Sequence, residues 1–223
     1  MFDWRWDFTF QILPRLLWAT VNTLLAAGIG YAIALVLGLV LALAQRTKVK
    51  PLTFVVREFV EFIRSTPLVL QIFFVFYVGP QFGIRLSPWT SGMIAIGLHY
   101  AAYLSEVYRA GIDAIPKGQW EACRALNLSM GRTYWRIVIP QALPASLPGM
   151  GNYLVGIFKD TPMLSVIGVA ELMHTANALG SETYRFLEPY TLVGVIFLAI
   201  SLPTAAGLRV FEAWVRRRLG MTR

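Results

Sequence analysis

Charged residues are scarce in this sequence. They account for 14% of its 223 residues, whereas apolar residues account for 57%. A soluble domain of this length would carry about a quarter charged residues, so the composition indicates an integral membrane protein. Cysteine is scarcer still, because Cys123 is the only one. A single cysteine excludes an intramolecular disulfide and a cysteine-rich metal site.

The residues needed for catalysis are also sparse. The two histidines, His99 and His174, fall in different segments, and no Cys/His or carboxylate cluster has the spacing of metal ligands. The sequence contains no Gly-rich loop ending in Lys of the kind that cradles nucleotide phosphates. We therefore predict no metal, no cofactor and no catalytic residue, and interpret His99 as a packed residue of a helix bundle. The N-terminus lacks the pattern of a cleaved signal peptide.

Long apolar runs dominate what is present. They predict an all-α membrane protein forming one transmembrane domain over residues 1–223, with five transmembrane spans at residues 17–44, 54–78, 89–105, 143–173 and 190–208. The second run carries Arg57, Glu58, Glu61 and Arg64 in its first half. This half is either part of the span or exposed at the cytoplasmic side, and Pro67 is expected to break the helix after it.

The basic residues predict the orientation. The net charge of +8 could suggest nucleic acid, but the basic residues lie beside the apolar runs, where membrane topology explains them. With the N-terminus outside, the outer segments hold only Arg5, Arg15, Arg85 and Arg185. The inner segments hold fifteen: Arg46, Lys48, Lys50, Arg57, Arg64, Arg109, Lys117, Arg124, Arg132, Arg136, Arg209, Arg216, Arg217, Arg218 and Arg223. This asymmetry predicts that the C-terminus and residues 106–142 are cytoplasmic.

Residues 106–142 are the polar interruption around which the chain is organised. Within them, Pro116 suits the first turn of a helix. Asn127 tolerates the left-handed conformation that ends a helix, and Ser129 can cap a second one, which Pro140 is expected to terminate. The pattern predicts a helix, a break and a helix. Small residues such as Ala122 would let a partner approach the first helix closely.

This pattern resembles the EAA loop of the permease subunits of bacterial ABC importers, in which the loop couples the permease to a cytoplasmic ATPase. We call residues 106–142 the EAA-like segment. The resemblance assigns ATPase coupling to six residues: Glu121, Ala122, Cys123, Asn127, Ile137 and Pro140. Two of them depart from the family pattern, because Cys123 replaces the second Ala and Asn127 replaces the Gly.

The resemblance extends over nearly the whole chain. The stretches FIRSTPLVLQIFF, YLSEVYRAGIDAIPKGQWEA, IVIPQALPASLPGMGN and FKDTPMLSVIGVAEL are similar to the polar amino-acid uptake branch, the histidine, glutamine and glutamate/aspartate group. The resemblance implies a type I permease fold in the bacterial inner membrane and a second permease subunit, identical or a sister. It also implies two cytoplasmic ATPase subunits that hydrolyse ATP, a periplasmic or lipid-anchored binding protein, and transport by alternating access.

Several alternatives stay open. Permeases for compatible solutes such as ectoine, and for opines, are similar in sequence. A passive polar-solute channel would also bury polar residues but would need no coupling loop. A membrane anchor for a larger assembly would show no substrate-dependent ATP turnover.

Polar residues at two proline breaks are candidates for a substrate pathway: Glu61, Arg64, Ser65, Thr66, Lys159, Asp160 and Thr161. Charged groups within a span are costly and often mark transport routes. In one interpretation they line a polar route at a dimer interface. In the other, Lys159 and Asp160 are structural and pin their helix to the one that carries Glu61 and Arg64.

Overall fold

The structure, a computed structural model, describes residues 4–218. The predicted inner residue Arg223 lies outside this range. Within it the chain forms no β-strand and nine α-helices: α1 (Trp6–Ala44), α2 (Lys50–Ser65), α3 (Leu68–Phe73), α4 (Pro88–Asp113), α5 (Lys117–Ala125), α6 (Met130–Thr133), α7 (Ile139–Asp160), α8 (Leu172–Thr183) and α9 (Leu187–Arg218). The predicted all-α class is confirmed.

The helices α1 and α4 form the centre of the bundle. One face of α1 carries a small residue at every fourth position, and all five are buried: Ala26, Gly30, Ala34, Gly38 and Ala42. Residues four apart lie on one face of a helix, and small side chains let a neighbouring backbone come close. A Cβ atom added at Gly38 would lie 2.9 Å from the Cβ of Leu104 in α4. The small-residue stripe therefore sets the distance between the two helices.

The predicted second span is split by a sharp corner. The helix α2 and the helical segment Leu68–Phe82 make an angle of 109°. Pro67 begins the second arm as its N-cap residue, as expected of a residue that lacks an N–H and disfavours a helical residue before it. The amide of Gln71 stabilises the corner, because it donates hydrogen bonds to the carbonyl oxygens of Ile63 (2.8 Å) and Thr66 (3.1 Å).

Two π-helical segments precede prolines. They are Phe74–Val78, just before Pro80, and Tyr134–Val138, just before Pro140. In the second, the N–H of Ile139 donates to the carbonyl of Tyr134, five residues earlier. The expectation that Pro140 ends a helix is wrong, since the helical run continues from Met130 to Ile167. The wider π turn precedes the residue that lacks an N–H, so the run does not break there.

At Thr161-Pro162, the second proline break expected from the sequence, the α-helix ends but the helical run continues as a 3₁₀ helix. The helix α7 ends at Asp160, a 3₁₀ helix follows over Thr161–Ile167, and Gly168 then adopts a positive φ of 81°. The buried carboxylate of Glu171 caps α8 by accepting hydrogen bonds from the N–H groups of Met173 (2.9 Å) and His174 (2.6 Å). The cap satisfies two of the N–H groups that a helix start leaves without partners.

The length and composition of the helices bear on the predicted spans. Among the described residues, two are long and apolar enough to cross a membrane, Trp6–Ala44 and Leu187–Val215. The number rises to four if each of two bent helix pairs counts as one span. The helix α4, which carries the predicted third span, is not among them, so five spans remain a prediction.

Candidate functional site

The EAA-like segment folds as a helix, a break and a helix. The break is a Schellman motif, in which the N–H of Asn127 donates to the carbonyl of Arg124 and the N–H of Leu128 to that of Cys123, both at 3.0 Å. Asn127 has a φ of 49°, and the hydroxyl of Ser129 caps the following helix. The local prediction from the sequence is confirmed.

The six residues assigned to coupling do not all lie on one surface. Glu121, Ala122, Asn127 and Pro140 are exposed, and Ile137 is half-buried. Cys123 is instead buried, with 4% of its surface exposed. It is the one residue of α5 that is fully buried, so its side chain is not available to a partner protein in this structure.

Large apolar side chains are exposed beside these residues. Leu126 is 71% exposed, Trp135 65% and Met130 57%. Exposed aromatic and apolar residues next to small ones are typical of a protein interface. The same segment borders a cavity of about 470 Å³ with four basic lining residues, Arg46, Lys48, Lys117 and Arg124.

A chain of ion pairs lies where α1 and α4 end. The guanidinium of Arg46, two residues beyond α1, donates to the carboxylate of Asp113, the last residue of α4. Asp113 also pairs with Arg109 at 3.4 Å, and Arg109 pairs with Glu106 at 2.5 Å. The hydrogen bond from Arg109 lowers the pKa of the Glu106 carboxyl, which begins the EAA-like segment.

A second candidate site is an open cavity of about 560 Å³ between α4 and α7. The hydroxyl of Tyr100 donates a 2.7 Å hydrogen bond to the carboxylate of Asp160. We call this space the tyrosine cavity, because three of its lining residues are tyrosines. Its polar and aromatic lining residues are His99, Tyr100, Tyr103, Asn152, Tyr153 and Asp160.

The three tyrosine rings form one cluster in this cavity. The ring centroids of Tyr103 and Tyr153 are 5.5 Å apart, and those of Tyr100 and Tyr153 are 5.9 Å apart. Small residues of α7 leave the space open, since a Cβ atom added at Gly156 would lie 3.1 Å from the Tyr100 hydroxyl oxygen. The site therefore places one carboxylate in a cavity that three tyrosine rings also line.

His99 is held between this cavity and the α2–α3 corner. Its Nδ1 atom lies 3.1 Å from the amide oxygen of Gln71, whose nitrogen binds the corner. The prediction that His99 is a hydrogen-bonded bundle residue agrees with this position. Among residues 4–218 no group of three or more His, Cys, Asp or Glu side chains is placed to hold a metal ion.

The residues predicted to form one substrate pathway lie in different places. Glu61 and Arg64 form an ion pair at 3.5 Å on α2 and line a separate cavity of about 410 Å³. Lys159 is exposed, whereas Asp160 lines the tyrosine cavity. Thr161 is fully buried, and its hydroxyl donates a hydrogen bond to the carbonyl of Phe158, three residues earlier.

The remaining two pathway candidates, Ser65 and Thr66, are at the corner. Ser65 is exposed, and the Thr66 hydroxyl accepts a 2.7 Å hydrogen bond from Gln71. The interpretation in which Lys159 and Asp160 pin α7 to α2 is wrong, because the hydrogen bond of Asp160 goes to Tyr100 on α4. The sequence suggested that the Glu61–Arg64 pair and the Lys159–Asp160 pair lie close together, because each pair precedes a Thr-Pro step.

Sequence reasoning also missed the tyrosines. Tyr100 and Tyr103 lie three residues apart, which places them on the same face of α4, while Tyr153 comes from α7. The first pair carries a weak signal, because aromatic residues in an apolar helix are usually packing residues. Nothing in the sequence indicated that a third ring from another helix would join them.

Tyr103 lies between α2 and the tyrosine cavity. Tyr103 donates a 3.2 Å hydrogen bond to the carbonyl of Arg64, whose guanidinium lies 5.4 Å from the centroid of the same ring. Tyr103 therefore separates the charged cavity beside α2 from the tyrosine cavity.

Comparison with known proteins defines the class. Residues 34–217 match the family described as binding-protein-dependent transport system inner membrane component. The chain belongs to this family. It is 38% identical over 225 residues to the probable amino-acid ABC transporter permease protein y4tG of Sinorhizobium fredii (strain NBRC 101917 / NGR234), covering 98% of this chain and 97% of that protein.

Two further comparisons agree. The chain is 38% identical over 203 residues to the L-cystine transport system permease protein TcyB of Bacillus subtilis (strain 168), covering 88% of this chain and 87% of that protein. It superposes with a TM-score of 0.87 and 31% identity on a crystal structure of an amino acid ABC transporter with histidines, over 95% of this chain and 99% of the other. The predicted class, a membrane permease subunit of an ABC importer, is confirmed.

Proposed function

We propose that this permease translocates a polar amino acid or a related small zwitterion. The observation that carries the proposal is the tyrosine cavity, in which the carboxylate of Asp160 lies among three tyrosine rings. A carboxylate attracts an ammonium group, and aromatic faces bind cations. The amide of Asn152 offers a donor for the carboxylate of the same substrate. The amino-acid and L-cystine names of the two relatives support this substrate class.

Related substrates fit the same chemistry. Ectoine-like solutes and opines also combine a cationic group with a carboxylate, so the cavity does not separate them from amino acids. Binding to the cognate binding protein would distinguish them. A passive channel is distinguished by energy, because it would move substrate without ATP.

The partners follow from the family and from the exposed EAA-like segment. The chain would work with a second permease, identical or a sister, two cytoplasmic ATPase subunits that hydrolyse the ATP, and a periplasmic or lipid-anchored binding protein. Three exposed residues provide a surface for an ATPase: Glu121 and Ala122 of α5, and Leu126 directly after it. Closure of the ATPases would displace this helix and open the tyrosine cavity to the other side of the membrane.

The proposed location is the bacterial inner membrane, with the N-terminus outside and the C-terminus in the cytoplasm. Five exposed positions allow a test by cysteine labelling of intact cells, after replacement of Cys123. An impermeant reagent should react at Gly83 and Ser181 but not at Lys48, Arg132 or Arg217. Labelling at Arg132 would contradict the orientation.

Asp160→Asn tests the proposed substrate site. The variant keeps the shape of the side chain but removes its charge, so the complex with ATPase and binding protein should assemble normally. We expect transport into proteoliposomes to be lost while basal ATPase activity persists. Loss of the assembled complex would instead assign Asp160 a structural role.

Lys159→Gln provides a matched control. It changes the charge of the adjacent residue, which is exposed and does not line the cavity, so transport should be retained. Wild-type transport by Asp160→Asn would exclude Asp160 from the pathway, and ATP-independent transport by the wild-type complex would identify a channel.

A further inference from the structure

Arg46 joins three parts of the molecule with one side chain. It follows α1, and its guanidinium donates to the carboxylate of Asp113 at the end of α4. The same guanidinium carbon lies 6.0 Å from the centroid of the Trp120 ring in α5, the first helix of the EAA-like segment. A planar guanidinium can pair with a carboxylate and stack on an aromatic ring at once, which an ammonium does less well.

Trp120 continues the contact into the next helix. Its ring meets the ring of Tyr134 edge to face, with centroids 5.6 Å apart. Both rings pack on a buried apolar cluster, which consists of Ile112, Ile115, Val138 and Ala142. Close-packed contacts of this kind transmit displacement because they cannot be compressed.

The covalent connections around α5 are less suited to this task. Only residues 114–116 join α4 to α5, and residues 126–129 separate α5 from α6. These connections lead to α4 and α6, and neither leads to α1. A displacement of α5 therefore reaches α1 through side chains, and Arg46, just beyond α1, contacts Trp120.

We propose that Arg46 is a positioning residue for energy coupling, which transmits the movement of α5 to the ends of α1 and α4. This inference rests on the proposed function of the chain as an ATP-driven permease. The Arg46–Asp113 pair is partly exposed, with 26% and 47% of the side-chain surfaces accessible, and an ion pair of this kind contributes little to stability. Its removal should therefore uncouple the transporter more than it unfolds it.

The experiment measures molecules of ATP hydrolysed per substrate molecule transported in proteoliposomes. Arg46→Gln and Asp113→Asn should each raise this ratio at least several-fold while assembly with the ATPase is retained. Arg46→Lys keeps the charge that pairs with Asp113 but removes the planar guanidinium that stacks on Trp120, so the ratio should rise less than in Arg46→Gln. Trp120→Leu should raise the ratio in the same way.

An ion pair elsewhere on α1 provides the matched control. Arg15 binds Glu182 of α8 through two hydrogen bonds of 2.9 and 3.1 Å and makes no contact with the EAA-like segment. Glu182→Gln should leave the ratio unchanged. A purely structural role for Arg46 predicts less assembled complex with a wild-type ratio in what remains.

The outcomes separate this inference from the proposed function. If the wild-type complex shows no substrate-stimulated ATPase activity, the proposed function is wrong. If the wild type couples and the Arg46, Asp113 and Trp120 variants keep its ratio, or if none of them assembles, the positioning role of Arg46 is wrong.

Discussion

Substitution of Gly38 by Ala should destabilise the permease through a single added methyl group. The Cβ atom would lie 2.9 Å from the Cβ of Leu104, 3.1 Å from the carbonyl oxygen of Ala101 and 3.3 Å from the backbone nitrogen of Ser105. None of these atoms is the free end of a flexible side chain. The clash can be relieved only if α1 and α4 move apart, which disturbs packing along the small-residue stripe.

The size of the effect follows from overpacking. Inserting a methylene into a tightly packed core typically costs about 1–3 kcal/mol. For a chain of this length, 1 kcal/mol corresponds to roughly 2–4 °C in Tm, so the clash alone corresponds to a fall of about 2–12 °C in the midpoint. The intrinsic preference of a helix for Ala over Gly acts in the opposite direction by up to about 1 kcal/mol.

Gly28→Ala provides the control on the same helix. Apart from the neighbouring residues and backbone of its own helix, no described atom lies within 4 Å of the Cβ added there, so only the helix preference acts and the midpoint should stay unchanged or rise. The measurement is the fraction of folded, detergent-solubilised protein after heating, read by size-exclusion chromatography. A midpoint for Gly38→Ala equal to or above that of Gly28→Ala would refute the close approach of α1 and α4.

Three further predictions concern other contacts. Gln71→Leu removes the donor of the Thr66 carbonyl oxygen and one of the donors of the Ile63 carbonyl oxygen, which should cost about 1–3 kcal/mol. Thermal melting would show this loss, against no change for the exposed control Gln81→Leu. Ala122→Asp places a charge on the proposed ATPase surface, costing roughly 3–5 kcal/mol if it is buried without a partner. ATPase co-purification should be lost, and its retention would remove Ala122 from that surface. Arg109 lowers the pKa of Glu106, so the ionised Glu106 carboxylate stabilises the folded protein. This stabilisation is fully present above the ordinary pKa of a Glu carboxyl and is lost as the pH falls through the lowered pKa of Glu106. Glu106→Gln should abolish this part of the acid destabilisation, as measured by melting at a series of pH values.

Local signals predicted local structure well. Asn127 and Ser129 specify the break in the EAA-like segment because their effects act within one turn of chain. The i, i+3 spacing of Glu61 and Arg64 likewise places them on one face of α2, where they form an ion pair. In each case the partners are close in sequence, so no knowledge of the bundle was needed.

Predictions that depended on tertiary geometry did less well. The direction of α2 relative to α3 separates Glu61 from Asp160, and no residue in the sequence encodes an angle of 109°. Glycines along α1 show the same limit, since a Cβ atom at Gly38 would meet α4 while one at Gly28 would meet no atom outside its local helix. Glycine permits close packing of helices, but the sequence does not say which face of α1 meets another helix.

The π segment at Tyr134–Val138 has a consequence for how relatives of this chain can differ. A π turn holds one residue more than an α turn, and each residue turns a helix by about 100°. Deleting a single residue there would convert the π turn into an ordinary α turn, so the rest of α7 would keep its phase and the residues that it contributes to the tyrosine cavity would stay in place: Gly149, Asn152, Tyr153, Gly156 and Asp160. A one-residue gap at this point in an alignment is therefore compatible with an unchanged cavity wall, whereas the same gap within α7 would rotate the residues after it by about 100°.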